Sequence, residues 1–365
     1  MRRPLSGWER DWLVPALVAT LVVLLLFWLA EPPRPAAAPG GAGPSSPRGD
    51  GPEPPEGGYL FCTWNVENLF DDDDDPRVHD DDEDWFGHNP ELVRQKVAHL
   101  ARALLLQNDG RGPDILAAVE VENRRAAELL RDALNAGLPA ALQYNGLVFR
   151  ENRTGRHIAP MVLTRLPCRD DLTRTFGARR ILEAHVEARG APLIVLASHW
   201  TSRVTDATDV KRTAYAAAVY RAFLDRYRAD PRADVILAGD YNDGPDDPAL
   251  VDGLHTTSDP ALVRADGPRP RLLDLMAGRD PRLFGTYLYQ RRWQALDHIV
   301  ASPGLLDPSG WLALPETLRV EAPTPLRAGR DGRPFRFGGP RQAGPRGYSD
   351  HFAVTLRLRV TSEVP

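Results

Sequence analysis

The sequence predicts a layered α/β domain carried behind an N-terminal apolar segment. Three observations support this reading. Short apolar runs are bounded by glycine or turn residues, helical apolar faces fall between them, and polar side chains sit where the runs end. Val235–Asp247 shows the last feature most clearly: the apolar stretch Val235 to Ala238 meets Gly239 and then delivers Asp240, Asn242 and Asp243. A strand fixes the backbone at a sheet edge while the loop beyond it frees the side chains, so catalytic groups collect there in layered α/β folds.

Composition narrows the function. With 365 residues the chain can hold one large domain or two ordinary ones. A net charge of −5 argues against a strongly basic nucleic-acid-binding protein. Cys62 and Cys168 lie in no CxxC or Cys/His spacing, which argues against zinc and leaves two buried thiols as the plain reading.

Leu13–Ala30 carries no charged residue and as a helix spans roughly 27 Å, close to the ~30 Å hydrocarbon core of a bilayer. Arg2, Arg3 and Arg10 precede it, which leaves residues 1–12 in the cytoplasm by the positive-inside rule. The run exceeds the ~7–15 residues of a signal-peptide apolar region, so an uncleaved anchor over 13–30 is preferred to secretion after signal cleavage. Residues 31–58, rich in Pro, Gly, Ala and Ser, cannot bury a core and read as a flexible tether. The folded domain then occupies 59–365, outside the cytoplasm.

Within that domain Tyr59–Val66 is a strand that ends on Asn65 and opens onto Glu67 and Asn68. Asp71–Asp84 is an acidic run that reads as a solvated surface loop more than as a cation-collecting one, because it lacks the glycine and terminal glutamate of an EF-hand. Asn89-Pro90-Glu91 marks a helix start, and Val93, Val97, Leu100 and Leu104 follow at helical spacing. Ile115–Val119 is a strand delivering Glu120 and Glu122, and Arg125–Asn135 is helical. Further strands cover Leu147–Phe149, Pro160–Thr164, Ile181–Val186 and Leu193–Ser198, the last ending at His199. Ala217, Tyr220, Leu224 and Tyr227 make another helical face. Leu296–Val300 carries Asp297, and Phe352–Val360 is a closing strand after Asp350 and His351. Ala322–Arg346 is an irregular loop.

The polar strand ends form an ordered set, and in that order the chain resembles the endonuclease/exonuclease/phosphatase superfamily. The resemblance rests on WNVEN at Trp64–Asn68, DILAAVEVEN at Asp114–Asn123, SHWTSR at Ser198–Arg203, GDYND at Gly239–Asp243, LDHIV at Leu296–Val300 and YSDHF at Tyr348–Phe352. It implies a four-layered α/β sandwich, with two mostly antiparallel sheets packed face to face and helices outside. It also implies that Glu120 is the principal ligand of a catalytic Mg²⁺, with Mn²⁺ as a substitute and Asn65 beside it. His351, oriented by Asp350 or Asp297, would face the scissile phosphate. Asp240 would orient or deprotonate the attacking water, Asn242 would hold a phosphate oxygen, and His199 would stabilise the phosphate or assist the leaving oxygen. Whether Asp240 or His351 is the general base stays open. One departure is Val119, where many relatives place a glutamine.

The chemistry is coherent without the family. A phosphodiester anion repels nucleophiles, so its hydrolysis needs a cation, a base for water and donors for developing charge. The expected activity is a metal-dependent phosphodiesterase or nuclease on the outer face of a bacterial cytoplasmic membrane, with DNA or RNA as the candidate substrate. The alternatives are a phosphomonoesterase acting on inositol phosphates or phospholipid head groups, and a membrane-tethered binding domain without catalysis. Arg179-Arg180, Arg203, Arg212 and Arg291-Arg292 are the candidates for local positive charge.

Overall fold

The computed structural model describes residues 57–361, apart from 77–79, 178–179 and 266. The expected membrane anchor and nearly all of the tether lie outside them. Among the described residues no helix is long and apolar enough to cross a membrane.

The chain first forms β1 (Tyr59–Leu69), α1 (Asp81–Gly87), α2 (Pro90–Leu105), β2 (Ile115–Val121), α3 (Arg124–Ala136), β3 (Gly146–Phe149) and β4 (Ala159–Thr164). Then come β5 (Arg174–Phe176), β6 (Ile181–Ala188), β7 (Ala191–His199), α4 (Val210–Ala229) and β8 (Val235–Asp240). Short pieces follow: β9 (Thr256–Thr257), α5 (Pro260–Val263), β10 (Leu272–Asp274), α6 (Pro281–Phe284), β11 (Tyr287–Tyr289) and β12 (Arg292–Gln294). The chain closes with β13 (Asp297–Ala301), β14 (Trp311–Glu321), β15 (Arg327–Ala328), β16 (Arg333–Pro334) and β17 (Ala353–Val360).

Two large sheets result, ordered β14-β17-β1-β2-β4-β3 and β5-β6-β7-β8-β13-β10-β9. Parallel pairs are confined to β1 with β2, β7 with β8 and β9 with β10. Successive strand residues point to opposite faces, and this alternation sorts the core. From β8, Ile236 and Ala238 enter the core between the sheets, while Val235 and Leu237 pack on the helix side with Ala216, Val219 and Phe223 of α4. From β1, Phe61 faces the inter-sheet core, whereas Cys62 and Trp64 pack with Val93, Val97, Leu100 and Leu104 of α2 and Leu130 of α3. Each buried Val, Leu or Phe contributes roughly 1.5–3 kcal/mol relative to exposure, so the three clusters together drive the layering.

Several sequence expectations change. The acidic run is not wholly a solvated loop: Asp80 caps α1 by accepting from the backbone N–H groups of Asp82 and Glu83, and Phe86 buries itself against Phe70 and Phe337. β14, a strand not expected from the sequence, pairs with β17 across one register shift between Leu314 and Arg319. The loop 322–346 contains the small ribbon β15–β16. Cys62 and Cys168 are free; Cys62 is buried on the helix side of its sheet, whereas Cys168 is partly buried against the inter-sheet core.

Candidate active site

Strand register assembles half of the site. β7 runs parallel to β8 with His199 opposite Asp240, and β13 runs antiparallel along the other side of β8 with Asp297 opposite the same residue. Register partners lie side by side across a ladder, so these three residues form one row at the sheet's end. Gly239 makes the row possible: its φ is +140°, and a Cβ there would lie 1.9 Å from the Ser198 carbonyl oxygen.

The other sheet supplies Asn65 near the end of β1 and Glu120 near the end of β2. Asn65 Nδ2 donates to Glu120 Oε1 at 3.0 Å and to Asp240 Oδ2 at 2.9 Å, so one amide links carboxylates from both sheets. Its Oδ1 accepts from the Glu67 backbone N–H at 2.9 Å. Asn65 therefore turns its nitrogen to the carboxylates and its oxygen to the backbone.

The third contribution precedes β17. His351 Nδ1 donates to Asp297 Oδ2 at 2.7 Å, and its Nε2 lies 3.8 Å from Asp240 Oδ2. Ser349 Oγ donates to the Asn65 carbonyl at 2.6 Å and accepts from the His351 N–H at 3.1 Å. The Trp64 indole donates to the His351 carbonyl at 2.9 Å, and the Tyr287 ring lies 4.7 Å from the imidazole. Asp297 orients His351. Asp350 does not: it lies 3.9 Å from Arg336 and feels Glu67, which corrects the open choice between the two acids.

Charge states follow from these neighbours. Burial pushes the Glu120 carboxyl up, but His199, the Asn65 hydrogen bond, His351 and Arg156 outweigh it and hold it below the ordinary carboxylate value. Burial raises Asp240, and Asp297 adds to the rise against the pull of His351 and His199. Burial opposes a charged His351, yet Asp297, Asp240 and Asp350 raise it well above the ordinary imidazole value. Asp350 is pushed up to about 7 by burial and by Glu67. Glu120 is thus shifted down and His351 up, each towards its charged form, beside Asp240.

His199 Nε2 lies 3.6 Å from Glu120 Oε1 and 3.8 Å from Asp240 Oδ2. Asn242 gives its Nδ2 to the Trp200 carbonyl at 3.0 Å and its backbone N–H to Asp240 Oδ1 at 2.9 Å, stapling the two loops that follow β7 and β8. Glu67, Asn68, Glu120 and Asn242 all have left-handed φ values between +53° and +68°. Such strain concentrates where surrounding structure holds side chains for function. A cleft of about 820 Å³ opens above these groups, and Asn65, Glu120, His199, Asp240, Asn242, Asp350 and His351 line it together.

Three supporting groups have roles that the sequence did not show, and Arg156 gave no local signal there. Arg156 follows β3 and reaches the cleft edge, where it donates to Asn68 Oδ1 at 2.9 Å and to Asp82 Oδ2 at 3.0 Å. Glu67 is buried and accepts from Arg336 Nε at 2.8 Å and the Phe337 N–H at 2.7 Å. Buried Arg212 donates to Asp243 Oδ1 at 2.8 Å and to the Asp206 carbonyl at 2.7 Å. Arg212 thus belongs to a loop tether through Asp243 and not to a substrate-facing charge.

The donor set suits a hard divalent cation. Glu120 is ionised, 16% exposed in its side chain and opens to the cleft, and carboxylate oxygens are what Mg²⁺ or Mn²⁺ select. Asp240, Asp297 and His351 also bring ligand-type atoms within 4.8 Å of one another. His351 Nδ1 is engaged by Asp297 there, so the trio reads as a hydrogen-bonded array before it reads as a ligand set.

The model of the Endonuclease/Exonuclease/phosphatase family matches residues 61–360. No curated protein matches the chain. Among solved structures, a humanized TDP2 from D. rerio carrying 14 mutations is 17% identical, covering 82% of this chain and 98% of that one at a TM-score of 0.50. TDP2 from Caenorhabditis elegans is 16% identical, covering 82% of this chain and 74% of that one, also at 0.50. At these identities the likeness concerns the fold alone. With the family pattern running through β1 to β17, the chain belongs to the endonuclease/exonuclease/phosphatase family of metal-dependent phosphoester hydrolases.

Proposed function

We propose that residues 59–365 form a divalent-metal-dependent phosphodiesterase of the nuclease type, which cleaves a P–O bond by attack of water. The observation that carries this reading is the Asn65 bridge. It sets an ionised carboxylate, Glu120, beside a buried carboxylate, Asp240, which faces an imidazolium held by Asp297.

Glu120 would hold the cation, Mg²⁺ or Mn²⁺, which when bound neutralises phosphate charge and polarises the ester. Asn65 keeps Glu120 and Asp240 at a fixed spacing. His351, already protonated, donates from Nε2 to a phosphate oxygen and favours the charge that develops there. Asp240, raised by burial and Asp297, accepts the proton of the attacking water. The upward shift of His351 favours Asp240 as the base, since a protonated imidazole has no lone pair at Nε2. His199 is placed to donate to the phosphate or the leaving oxygen. Asn242 holds the loops and offers its remaining polar atoms to the phosphate, and Asp350 lines the cleft without touching His351.

The diester reading is favoured by the cleft's mixed lining. Arg156, Arg180 and Arg203 stand beside Tyr287, Tyr289 and Val204, a wall suited to a phosphate flanked by an organic group such as a base. A DNA or RNA strand is the natural substrate class for such a lining. A substrate panel run with Mg²⁺, Mn²⁺, Ca²⁺ and EDTA is the test. Cleavage of inositol phosphates or lipid head groups but not of plasmid or single-stranded nucleic acid moves the activity to the monoesterase or lipid class. Metal-independent turnover, or full activity in Glu120→Gln, sinks the site assignment.

We also place this domain outside the cytoplasm, tethered by 31–58 to an anchor at 13–30. The support is the uncharged length of Leu13–Ala30 and the arginines before it. Reporter fusions at the C-terminus and N-terminal sequencing decide between anchor and cleaved signal.

A further inference from the structure

The acidic run contains a second constellation that the catalytic reading does not use. Asp74, Glu83 and Asp84 each offer a carboxylate oxygen, and these atoms lie within 4.8 Å of one another. Two ligand oxygens on opposite sides of a Ca²⁺ ion lie roughly 4.6–5.2 Å apart, given bonds of about 2.3–2.6 Å, whereas Mg²⁺ draws them to about 4.0–4.2 Å. Oxygens within 4.8 Å of one another can share one Ca²⁺ coordination sphere.

Exposed acids cluster on many surfaces without binding anything, and Asp84 alone would carry no weight. Glu83 is different: it is 1% exposed, its Oε1 accepts from the Asp75 N–H at 2.8 Å, and its Oε2 is buried with no hydrogen-bond partner. Asp74 Oδ1 is likewise buried without a hydrogen-bond partner, with His88 Nδ1 3.7 Å away. An ionised oxygen buried without a donor is strongly unfavourable, and a cation is the group that relieves several at once. The packing brings them together. A Cβ on Gly87 would lie 2.7 Å from Asp74 Cα, so the segment holding Asp74 presses against α1 because residue 87 has no side chain. Burial and the neighbouring Asp74, Asp84 and Asp75 also raise the Glu83 carboxyl, as expected of acids gathered without their counter-ion.

We propose that Asp74, Glu83 and Asp84 form a second cation site, separate from Glu120, that takes a Ca²⁺-class ion and completes its shell with water on the Asp84 side. The site pins the 71–75 segment to α1. The same helix start holds Arg156 through Asp80 and Asp82, and Arg156 bonds Asn68, whose N–H donates to Glu120 Oε2 at 2.9 Å. Occupancy therefore stiffens one wall of the cleft, while binding itself does not depend on the activity proposed above.

The test uses the full chain in detergent with Glu120→Gln as the parent, so that the cleft no longer offers its principal ligand. Ca²⁺ should raise its melting temperature, more than the same concentration of Mg²⁺. Tb³⁺ should give emission on indole excitation, with Trp85 beside Asp84 as the donor. Asp74→Asn and Asp84→Asn should each weaken Tb³⁺ binding by roughly tenfold or more, because affinity in such sites follows ligand charge. Glu83→Gln should abolish the Ca²⁺ shift while melting no lower than the parent in EDTA, since it removes mutual repulsion. An unchanged Ca²⁺ shift in Glu83→Gln and Asp74→Asn, or no shift in the parent, overturns the proposal. Should Glu83→Gln fail to fold, the exposed Asp84→Asn decides by the same Tb³⁺ titration.

Discussion

Glu120 and Glu122 leave the same strand two residues apart, and their carboxyls are displaced in opposite directions. Both are penalised by burial. Glu120 then meets His199, Asn65, His351 and Arg156 and falls below the ordinary value, whereas Glu122 meets Asp71, Glu83 and Asp75, accepts from the Asp71 N–H, and is pushed up to about 8. β2 thus divides two acidic regions: a cleft in which Glu120 and Asp240 lie beside Asn65, His199 and His351, and a loop region in which Glu122 faces Asp71, Glu83 and Asp75. Acid count does not distinguish a catalytic centre from an ion-collecting surface. The sign of the surrounding groups does, and those groups come from segments far away in the chain.

The largest expected effect breaks the comparison most directly. Glu120→Gln should lower kcat/KM for a phosphodiester by on the order of 10³-fold or more, about 4 kcal/mol of transition-state stabilisation, while Glu122→Gln stays within severalfold of the parent. Equal losses in both variants would show that the two carboxylates act as one unit.

His351→Ala should cost on the order of 10²–10⁴ in kcat, the range for a positioned proton donor or acceptor. Asp297→Asn sharpens the point. The folded His351 value lies above the ordinary 6.5, so its contribution to stability is full below pH 6.5 and disappears as pH rises through the raised value. Removing the Asp297 charge should bring the imidazole's titration, followed by NMR, down towards 6.5, and an unmoved midpoint would refute the dyad.

Asn65→Ala should have a smaller effect, roughly 10- to 100-fold in kcat, because it loosens the spacing of Glu120 and Asp240 without removing either. A change confined to KM would contradict that positioning role.

The smallest effect tests the loop side. Glu122 is raised in the folded state above its ordinary 4.5, so the stability it contributes is complete below pH 4.5 and is gone once pH passes about 8. In EDTA, Glu122→Gln should flatten that decline by roughly 1–3 kcal/mol, measured by denaturant melts across the window. A decline of equal size in both proteins would place the repulsion elsewhere.

The legible parts of the molecule are those with local causes. Apolar runs, turn glycines and the helix start at Asn89-Pro90 signal strands and helices because burial on a pleated or helical face imposes a period of about 2 or 3.6 on neighbouring residues. α2 begins at Pro90 and β8 ends on Asp240, while β13 starts on Asp297, just after Leu296, where the sequence places its start. Strand ends likewise mark Asn65, Glu120, His199 and Asp240 as residues delivered to one edge. α1 escaped notice because its acidic face hides the buried Glu83 and Phe86 inside a run that looks fully polar.

What the chain determined by itself is therefore the layered α/β class, the order of its strands and the polar residues at their ends, since these depend on near neighbours. The tertiary structure decided that Asp297 and not Asp350 holds His351, that Asn65 turns its nitrogen to Glu120 and Asp240, and that Arg156 reaches the cleft. It also decided that Arg212 tethers Asp243, and that two glutamates on one strand are shifted apart. The physical reason is the same in each case: hydrogen-bond partners and charge states depend on which distant segments are buried together, and that is fixed when the sheets close on one another.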